Sequence, residues 1–241
     1  MKVSVVVPAF NEQKLIQETL RRIKHACSSL QELGWETEVI VCDNNSTDAT
    51  AVLAREEGAR VVFEPVNQIG RARNTGAAAA TGGWLIFIDA DSHPSPELFR
   101  DVAAAISSGS YLAGGCTVQL EGFTSGWRLL VRAWNGLSRL GRLMAGSFIF
   151  CEREAFEAVG GFNLELYAKE EIDLSRKLKR LARKRQKKIV ILHRHPLMTS
   201  NRKVKLYSRG EMLRFLVHNA LSLGRTLRSS KDCFPWYDGR R

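Results

Sequence analysis

Short runs of apolar residues alternate with segments of helical periodicity through the first half of the chain. The apolar runs predict strands at residues 2–7, 38–42, 60–63 and 84–88. Apolar positions spaced by three and four residues predict a helix that Asn11 caps and Gly34 ends. A short helix ends at Gly58, and a third helix covers residues 69–80. Runs that are apolar throughout are typical of strands buried on both faces, so this alternation predicts an α/β fold with a mostly parallel sheet.

The second half of the chain has a less regular pattern. It predicts helices at residues 96–107, 125–144, 170–183 and 206–227, and strands at residues 112–119, 148–151 and 188–193. The chain contains neither an internal repeat nor a recognisable linker. We therefore expect one domain over residues 1–205, built from halves 1–118 and 119–205, and a basic amphipathic helical extension over residues 206–241.

Polar loops follow three of the predicted strands where each strand ends. Residues 8–12 follow the first strand, Asp43 follows the second, and Asp89 and Asp91 follow the fourth. Side chains alternate along an extended backbone, so Asp89 and Asp91 point to the same side. Such a pair at a sheet edge suits a hard divalent cation that carries a diphosphate. Turn formation and helix capping ahead of Pro94 is the alternative explanation.

Two further features favour an anionic nucleotide at this edge. Asp43 suits the N–H groups of a uracil or guanine ring, although an Asx-type turn would explain it equally well. Arg71 and Arg73 fall in the first turns of a predicted helix, where basic residues oppose the helix dipole. A phosphate at that helix N-terminus would relieve the mismatch, with solvation of the arginines as the alternative.

The composition is that of a soluble globular protein, with 44% hydrophobic and 25% charged residues among 241. No apolar run approaches the roughly 18 residues that a membrane span needs, and the N-terminus does not resemble a signal peptide. Five scattered cysteines without a CxxC spacing argue against a disulfide framework or a zinc site. We therefore expect a cytoplasmic protein, with peripheral contact at the inner face of the membrane as an alternative.

A formal net charge of +11 favours an anionic partner, whether nucleotide phosphates, anionic lipid or nucleic acid. The predicted helix at residues 125–144 interleaves apolar residues with arginines, and the tail repeats the pattern. Packing on the core with a solvated basic face is the ordinary explanation. The alternative is an interfacial helix that rests on anionic lipid and presents a lipid-linked acceptor.

Seven segments, in this order, resemble family 2 glycosyltransferases of the GT-A fold and span most of residues 1–200. They are residues 5–12 (VVVPAFNE), 42–48 (CDNNSTD), 70–76 (GRARNTG), 87–92 (FIDADS), 145–148 (AGSF), 156–162 (FEAVGGF) and 169–174 (KEEIDL). The resemblance implies a Rossmann-like three-layer α/β/α sandwich, a nucleotide-sugar donor in the first half, a divalent metal such as Mn²⁺ or Mg²⁺, and inversion at the anomeric carbon.

The resemblance also implies roles for individual residues. Asp43 would contact the base, Asp89 would face the ribose, and Asp91 would hold the metal. Arg71 would lie near the base or the phosphates. The residues implied in binding a donor, with UDP- and GDP-linked sugars favoured, are Pro8, Ala9, Asn11, Glu12, Asp43, Arg71, Asp89 and Ala90.

An acidic cluster at the start of a predicted helix offers the carboxylate base that an attacking hydroxyl needs. The family pattern usually reads Glu-Asp here, and Glu171 occupies the position of its Asp, so we expect Glu171 to be the base and Glu170 to be the competitor. Favourable interaction with the helix dipole is the simpler explanation of these carboxylates.

The segment after the last predicted strand offers further ligands. The resemblance implies a third metal ligand or a diphosphate contact here, which would be His195 or, less favourably, His193, with an ordinary polar loop residue as the alternative. Ser200 and Arg202 would contact the diphosphate once this segment closes over it.

Other function classes fit the chain less well. A nucleotidyltransferase acting on sugar phosphates would share the metal-binding aspartates, but it would carry a glycine-rich basic loop where residues 8–12 stand. A basic nucleic-acid-binding α/β protein would explain the charge but not the acidic residues gathered at one edge. We therefore expect an inverting glycosyltransferase with a hydroxyl acceptor (polysaccharide, glycolipid or lipid-linked) and no nucleic-acid partner.

Overall fold

In the computed structural model, the described residues are 1–120, 125–200, 229 and 233. They form an eight-stranded sheet with the order β3-β2-β1-β4-β7-β6-β8-β5. The strands are β1 (Lys2–Ala9), β2 (Glu36–Asp43), β3 (Arg60–Phe63), β4 (Trp84–Ile88), β5 (Ser92–His93), β6 (Tyr111–Leu120), β7 (Phe148–Glu152) and β8 (Lys188–Thr199). The helices are α1 (Ile16–Gln31), α2 (Thr50–Glu56), α3 (Ile69–Ala78), α4 (Pro96–Ser107), α5 (Ser125–Gly141), α6 (Arg153–Ala158) and α7 (Glu170–Lys184).

The sheet is mostly parallel, as the alternation of strands and helices predicts. Strands β3, β2, β1 and β4 run parallel to one another. β7 lies antiparallel between β4 and β6, and β6 pairs in parallel with β8. These four parallel strands therefore bring their carboxyl ends to one edge, where ligands bind in open α/β sheets.

The continuous apolar runs reflect burial on both faces of the sheet. Val5 packs with α1 and α4 on one face, while its neighbour Val6 packs with α3 and α7 on the other. Ile86 lies on the same face as Val5, and Phe87 lies on the same face as Val6. Helices thus cover the sheet from both sides, and the predicted three-layer α/β/α architecture is confirmed.

The start of α1 differs from the prediction. The helix begins at Ile16, and Asn11 does not cap it. Asn11 instead takes a positive φ of 53°, and its Oδ1 accepts a hydrogen bond from the Thr47 N–H at 2.8 Å. A contact with a distant loop therefore outweighs the local capping preference.

Strand β8 is longer than its pattern predicts. It continues to Thr199, and its last residues pair with the short strand β5, with Ser92 opposite Thr199. The pairing with β6 is irregular between the Cys116–Leu192 and Val118–Leu197 pairs. His193 and His195 therefore lie within this irregular part of the strand rather than in a loop after it.

Helix α5 ends at Gly141, and part of its apolar surface is not packed on the core. Leu137 is 62% exposed and Leu140 is 88% exposed, so the expectation of ordinary core packing is wrong for these two residues. Met144, which follows the helix, is fully buried. The predicted helix at residues 206–227 lies outside the described residues, and the division into halves and an extension stays a prediction. Among the described helices, none combines the length and the hydropathy of a membrane-spanning segment.

Candidate active site

The loops after β1 and β2 are joined to each other by backbone hydrogen bonds. The Asn44 N–H donates to the carbonyl of Ala9 at 2.8 Å, at the ends of the two strands. The Glu12 N–H donates to Thr50 Oγ1 at 2.7 Å, which ties the first loop to the start of α2. Residues 8–12 and the loop after Asp43 therefore form one continuous wall at the carboxyl edge of the sheet.

Asp43 lies buried at the end of β2. Its Oδ1 accepts a hydrogen bond from the Ser46 N–H at 3.2 Å, which is the Asx-type turn that the sequence offered as an alternative. The turn engages Oδ1 of Asp43. The contact of Asp43 with the base of a nucleotide, which the family resemblance implies, stays a prediction.

Asp89 and Asp91 lie in a loop whose backbone is held from three sides. The Ser92 N–H donates to the carbonyl of Asp89 at 3.1 Å, and Thr19 Oγ1 donates to the carbonyl of Ala90 at 2.7 Å. The Ser200 N–H donates to the carbonyl of Asp91 at 3.0 Å. The loop that carries both carboxylates is therefore fixed by α1 and by the residue that follows β8.

Arg73 was predicted, with Arg71, to face a bound phosphate, but its partners are carboxylates of the protein. Its side chain is 2% exposed, and its Nη1 donates to Glu170 Oε1 at 2.6 Å. Its Nη2 donates to Asp89 Oδ1 and to the carbonyl of Gly146, both at 2.9 Å. The guanidinium also lies over the ring of Phe162, 5.1 Å from the ring centre.

Arg71 lies nearer the surface than Arg73. Its Nε donates to Gln68 Oε1 at 3.0 Å, at the residue before α3. The structure thus separates two arginines that the sequence treated alike. Arg73 belongs to the interior of the site, and Arg71 lies at the helix N-terminus, so a phosphate contact of Arg71 stays a prediction.

A cavity of about 330 Å³ lies beside the first turn of α7. It combines carboxylates with aromatic side chains, an arrangement that suits a polar reacting group attached to an apolar body. Its lining includes Ile69, Arg73, Asp89, Trp134, Gly146, Ser147, Tyr167, Lys169, Glu170 and Glu171. The sequence placed Trp134 only among the apolar positions of the helix at residues 125–144 and did not single out Tyr167. Neither was assigned to the site, because only the fold brings α5 and the loop before α7 together.

The two adjacent glutamates of α7 differ in their surroundings. Glu170 is almost fully buried and ion-paired with Arg73, whereas Glu171 is half-buried. Burial and the negative charge of Glu170 raise the pKa of Glu171 to about 8, against the opposing effect of Arg73. A carboxyl group with such a pKa is matched to proton transfer near neutral pH.

His195, the predicted third metal ligand, lies in β8 and contacts α4, and a metal contact of His195 or His193 stays a prediction. His195 Nδ1 lies 3.0 Å from Asp101 Oδ2 on α4, and His193 is exposed. No group of three or more histidine, cysteine, aspartate or glutamate side chains in the described part of the chain forms a candidate metal site. Ser200 contacts the Asp91 backbone, while Arg202 lies outside the described residues.

The donor set nevertheless suits one kind of metal. Mg²⁺ and similar ions are commonly held by one or two carboxylates plus substrate phosphate oxygens, without a complete protein cage. Asp91, buried in a loop fixed by its backbone, is a carboxylate of this kind. A metal site completed by the ligand therefore fits the residues present.

Comparison with known proteins gives a family and a fold. The family described as "Glycosyl transferase family 2" matches residues 4–206. The dolichol-phosphate mannosyltransferase of Pyrococcus furiosus is 30% identical over 171 residues, which are 67% of this chain and 45% of that protein. The undecaprenyl-phosphate 4-deoxy-4-formamido-L-arabinose transferase of Klebsiella pneumoniae is 35% identical over 125 residues, 47% of this chain and 36% of that protein. The chain thus spans less than half the length of both relatives.

Solved structures show the same fold. A mannosyltransferase from Pyrobaculum calidifontis, in complex with GDP-Man and Mn²⁺, superposes with a TM-score of 0.68 at 20% identity, covering 93% of this chain and 62% of that one. A glucosyl-3-phosphoglycerate synthase from Mycobacterium tuberculosis, in complex with Mn²⁺, UDP and glucosyl-3-phosphoglycerate, has a TM-score of 0.62 at 25% identity, covering 92% of this chain and 79% of that one. These superpositions confirm the GT-A fold implied by the sequence resemblance.

Proposed function

The chain belongs to glycosyl transferase family 2, and on this premise we propose that it transfers a sugar from a nucleoside-diphosphate sugar to an acceptor, with inversion at the anomeric carbon. The observation that carries the proposal is the position of Glu171. Its carboxyl group lies in the cavity that Asp89 also lines, and its raised pKa suits a proton acceptor. The donor side and the base side of a single displacement therefore meet in one cavity.

The donor would lie along the wall formed by residues 8–12 and the loop after Asp43. Asp43 would accept a hydrogen bond from the base, and Asp89 would face the ribose. Asp91 would hold a divalent cation such as Mn²⁺ or Mg²⁺, which would neutralise charge on the departing diphosphate. Glu171 would take the proton of the attacking hydroxyl, and Glu170 would stay paired with Arg73.

We propose that the acceptor is lipid-linked. Relatives of this chain are named for dolichol phosphate and undecaprenyl phosphate. The aromatic side chains of Trp134 and Tyr167 contribute to the apolar part of the cavity lining, together with Ile69 and Ile172. Such a lining suits an acceptor whose reacting group is attached to a hydrocarbon chain.

A phosphate oxygen is the second candidate for the attacking atom. A hydroxyl group must lose its proton and needs a base, whereas a phosphate monoester is already ionised at neutral pH. The raised pKa of Glu171 also favours its protonated form at pH 7, which would not repel a phosphate. The two acceptors therefore differ in whether transfer depends on an ionised Glu171.

The donor class is tested by a screen of UDP-, GDP- and dTDP-sugars for slow hydrolysis, with Mn²⁺ and again with EDTA. We expect one nucleotide to be preferred and hydrolysis to cease in EDTA, because the diphosphate would lose its counter-charge. A sugar phosphate with a nucleoside triphosphate serves as the control for nucleotidyl transfer. Turnover of that pair, with every nucleotide sugar left intact, would contradict the proposal.

We further propose that α5 contacts anionic lipid. Leu137 and Leu140 are exposed, and Arg132, Arg139 and Arg142 near them are exposed as well. Trp134 of the same helix lines the cavity one turn before Leu137. An apolar surface edged by arginines that begins at the cavity fits a membrane surface that presents the acceptor.

Changing both Leu137 and Leu140 to glutamate tests this contact. We expect sedimentation with phosphatidylglycerol vesicles at low salt to weaken by at least about tenfold, because two leucines lose apolar burial and two negative charges face an anionic surface. Leu33→Glu is the matched control, since Leu33 is 56% exposed and follows α1. Equal binding by the wild type and the double variant, or none by the wild type, would remove the proposal.

A further inference from the structure

Arg73 joins three separate segments at the cavity. It extends from α3, and its guanidinium bonds Glu170 at the start of α7, Asp89 after β4, and the carbonyl of Gly146 before β7. These partners lie 97, 16 and 73 positions away in the chain. One buried side chain therefore holds the loop beside the donor and the first turn of α7 in a fixed relation.

The planar guanidinium group suits this position in a way that lysine does not. Its two terminal nitrogens bond different partners at 2.6–2.9 Å, while its flat face lies over the ring of Phe162. An ammonium group is a point charge without a fork and cannot reproduce these directions together. Removal of one member of a buried ion pair also destabilises a protein strongly, because the charge of the remaining partner is left buried without compensation.

The contact with Glu170 gives the two adjacent glutamates different roles. Both glutamates line the cavity, but Glu170 is buried and ion-paired with Arg73, so Glu171 is the candidate proton acceptor of the pair. Gly146 borders both groups, since a Cβ there would be in van der Waals contact, at 3.5 Å, with Arg73 Nη2 and with the Glu171 carboxyl carbon.

We infer that Arg73 is a positioning residue that fixes Glu170 and the Asp89 loop so that Glu171 is presented to the acceptor. The inference rests on the proposed function for the role of Glu171, but the contacts that carry it are independent of the substrate. The charged and titratable groups that line the cavity around Glu171 are Arg73 from α3, Asp89 after β4, Tyr167 and Lys169 before α7, and Glu170 on α7.

The first test is Arg73→Lys, which keeps the positive charge and loses the fork. We expect kcat to fall at least about tenfold while donor KM changes less than about threefold, since the base side moves and the nucleotide wall does not. We also expect the acid limb of the pH profile to move to higher pH. The shorter lysine side chain holds its positive charge farther from Glu171, so it lowers the pKa of Glu171 less than Arg73 does. Arg153→Lys is the control, since Arg153 also donates to a backbone carbonyl, that of Ala80 at 3.1 Å.

A second readout does not need activity. The carboxyl carbon of Glu171, assigned by comparison with Glu171→Gln, is followed by ¹³C NMR as pH is varied. Glu170→Gln keeps a hydrogen-bond acceptor for Arg73 and removes the negative charge beside Glu171. We therefore expect the pKa of Glu171 to be lower in this variant than in the wild type. This variant also keeps the inference testable if Arg73→Lys does not fold.

These outcomes separate the inference from the proposed function. An Arg73→Lys protein with kcat within twofold of the wild type, or with lower activity but an unmoved pH profile and Glu171 titration, overturns the positioning role. A Glu171 titration that shifts as expected in a protein that transfers no sugar from any donor would leave the positioning contacts intact and refute the transferase proposal.

Discussion

Glu171→Gln is expected to lower kcat for transfer to a hydroxyl acceptor by about 10²- to 10⁴-fold, the usual contribution of a positioned general base. Glutamine keeps the shape of the side chain but cannot accept the proton. Because Glu171 is separate from the wall formed by residues 8–12 and Asp43, nucleotide affinity should stay within about threefold of the wild type. Steady-state kinetics and calorimetric titration with the nucleoside diphosphate measure the two quantities.

Asp173→Asn is the matched control for that substitution. Asp173 lies in the same first turn of α7 and pairs with Lys177 at 2.9 Å, and it is not part of the cavity lining. Its change removes a similar charge from the helix N-terminus without touching the proposed base. Equal losses in both variants would attribute the effect to the helix dipole and refute the assignment of Glu171.

The pH dependence of kcat/KM tests whether transfer requires the ionised form of Glu171. With the pKa of Glu171 raised to about 8, the free enzyme carries a proton on this group below that pH, so kcat/KM for a hydroxyl acceptor should rise about tenfold per pH unit up to about pH 8. The rise should vanish in Glu171→Gln. A phosphate acceptor needs no base, so a flat profile with activity retained in Glu171→Gln would favour phosphate as the attacking group.

Asp91→Asn is expected to produce the second large effect, a loss of metal-dependent nucleotide binding. Even partners outside the metal's own ligand shell change affinity by about 10- to 100-fold, so loss of a direct carboxylate ligand should exceed about 100-fold. Titration of UDP or GDP in the presence of Mn²⁺, repeated with EDTA, measures it. Transfer should fall in parallel, because the departing diphosphate would lose its counter-charge.

Asp173→Asn serves again as the control for the change from carboxylate to amide. The variant Asp91→Asn and the wild type in EDTA should bind nucleotide equally weakly, since both lack the same metal contact. An Asp91→Asn protein that retains Mn²⁺-stimulated binding would show that other groups hold the ion, and His195 would then be the first to be tested.

Local pattern predicted most elements of this fold because their causes are local. The strands at residues 60–63 and 84–88 and the helix at residues 96–107 are found at the predicted bounds. Ser95 caps that helix by accepting the Leu98 N–H at 3.2 Å, and Pro96 follows at its first position. Apolar periodicity and capping act within a few residues, so they can be read from the chain directly.

Predictions that depended on distant partners were less complete. Asn11 was expected to cap α1, but the loop after β2 engages its side chain instead. The pattern of residues 188–193 did not show that β8 continues to Thr199, because β5 and β6 supply the pairing. The exposed leucines of α5 could not be distinguished from core leucines, since the same helical spacing serves both.

Short motifs and periodicity encode the α/β class, the family resemblance and the carboxylate-bearing loops after the strands, so these could be predicted from the chain alone. Which ionisable groups meet depends on the fold. Arg73 bonds Asp89 and Glu170 across 16 and 97 positions, and this contact distinguishes a neutralised Glu170 from a Glu171 of raised pKa. Burial and charge pairing depend on the whole fold, so two neighbouring glutamates of the same type acquire different chemistry.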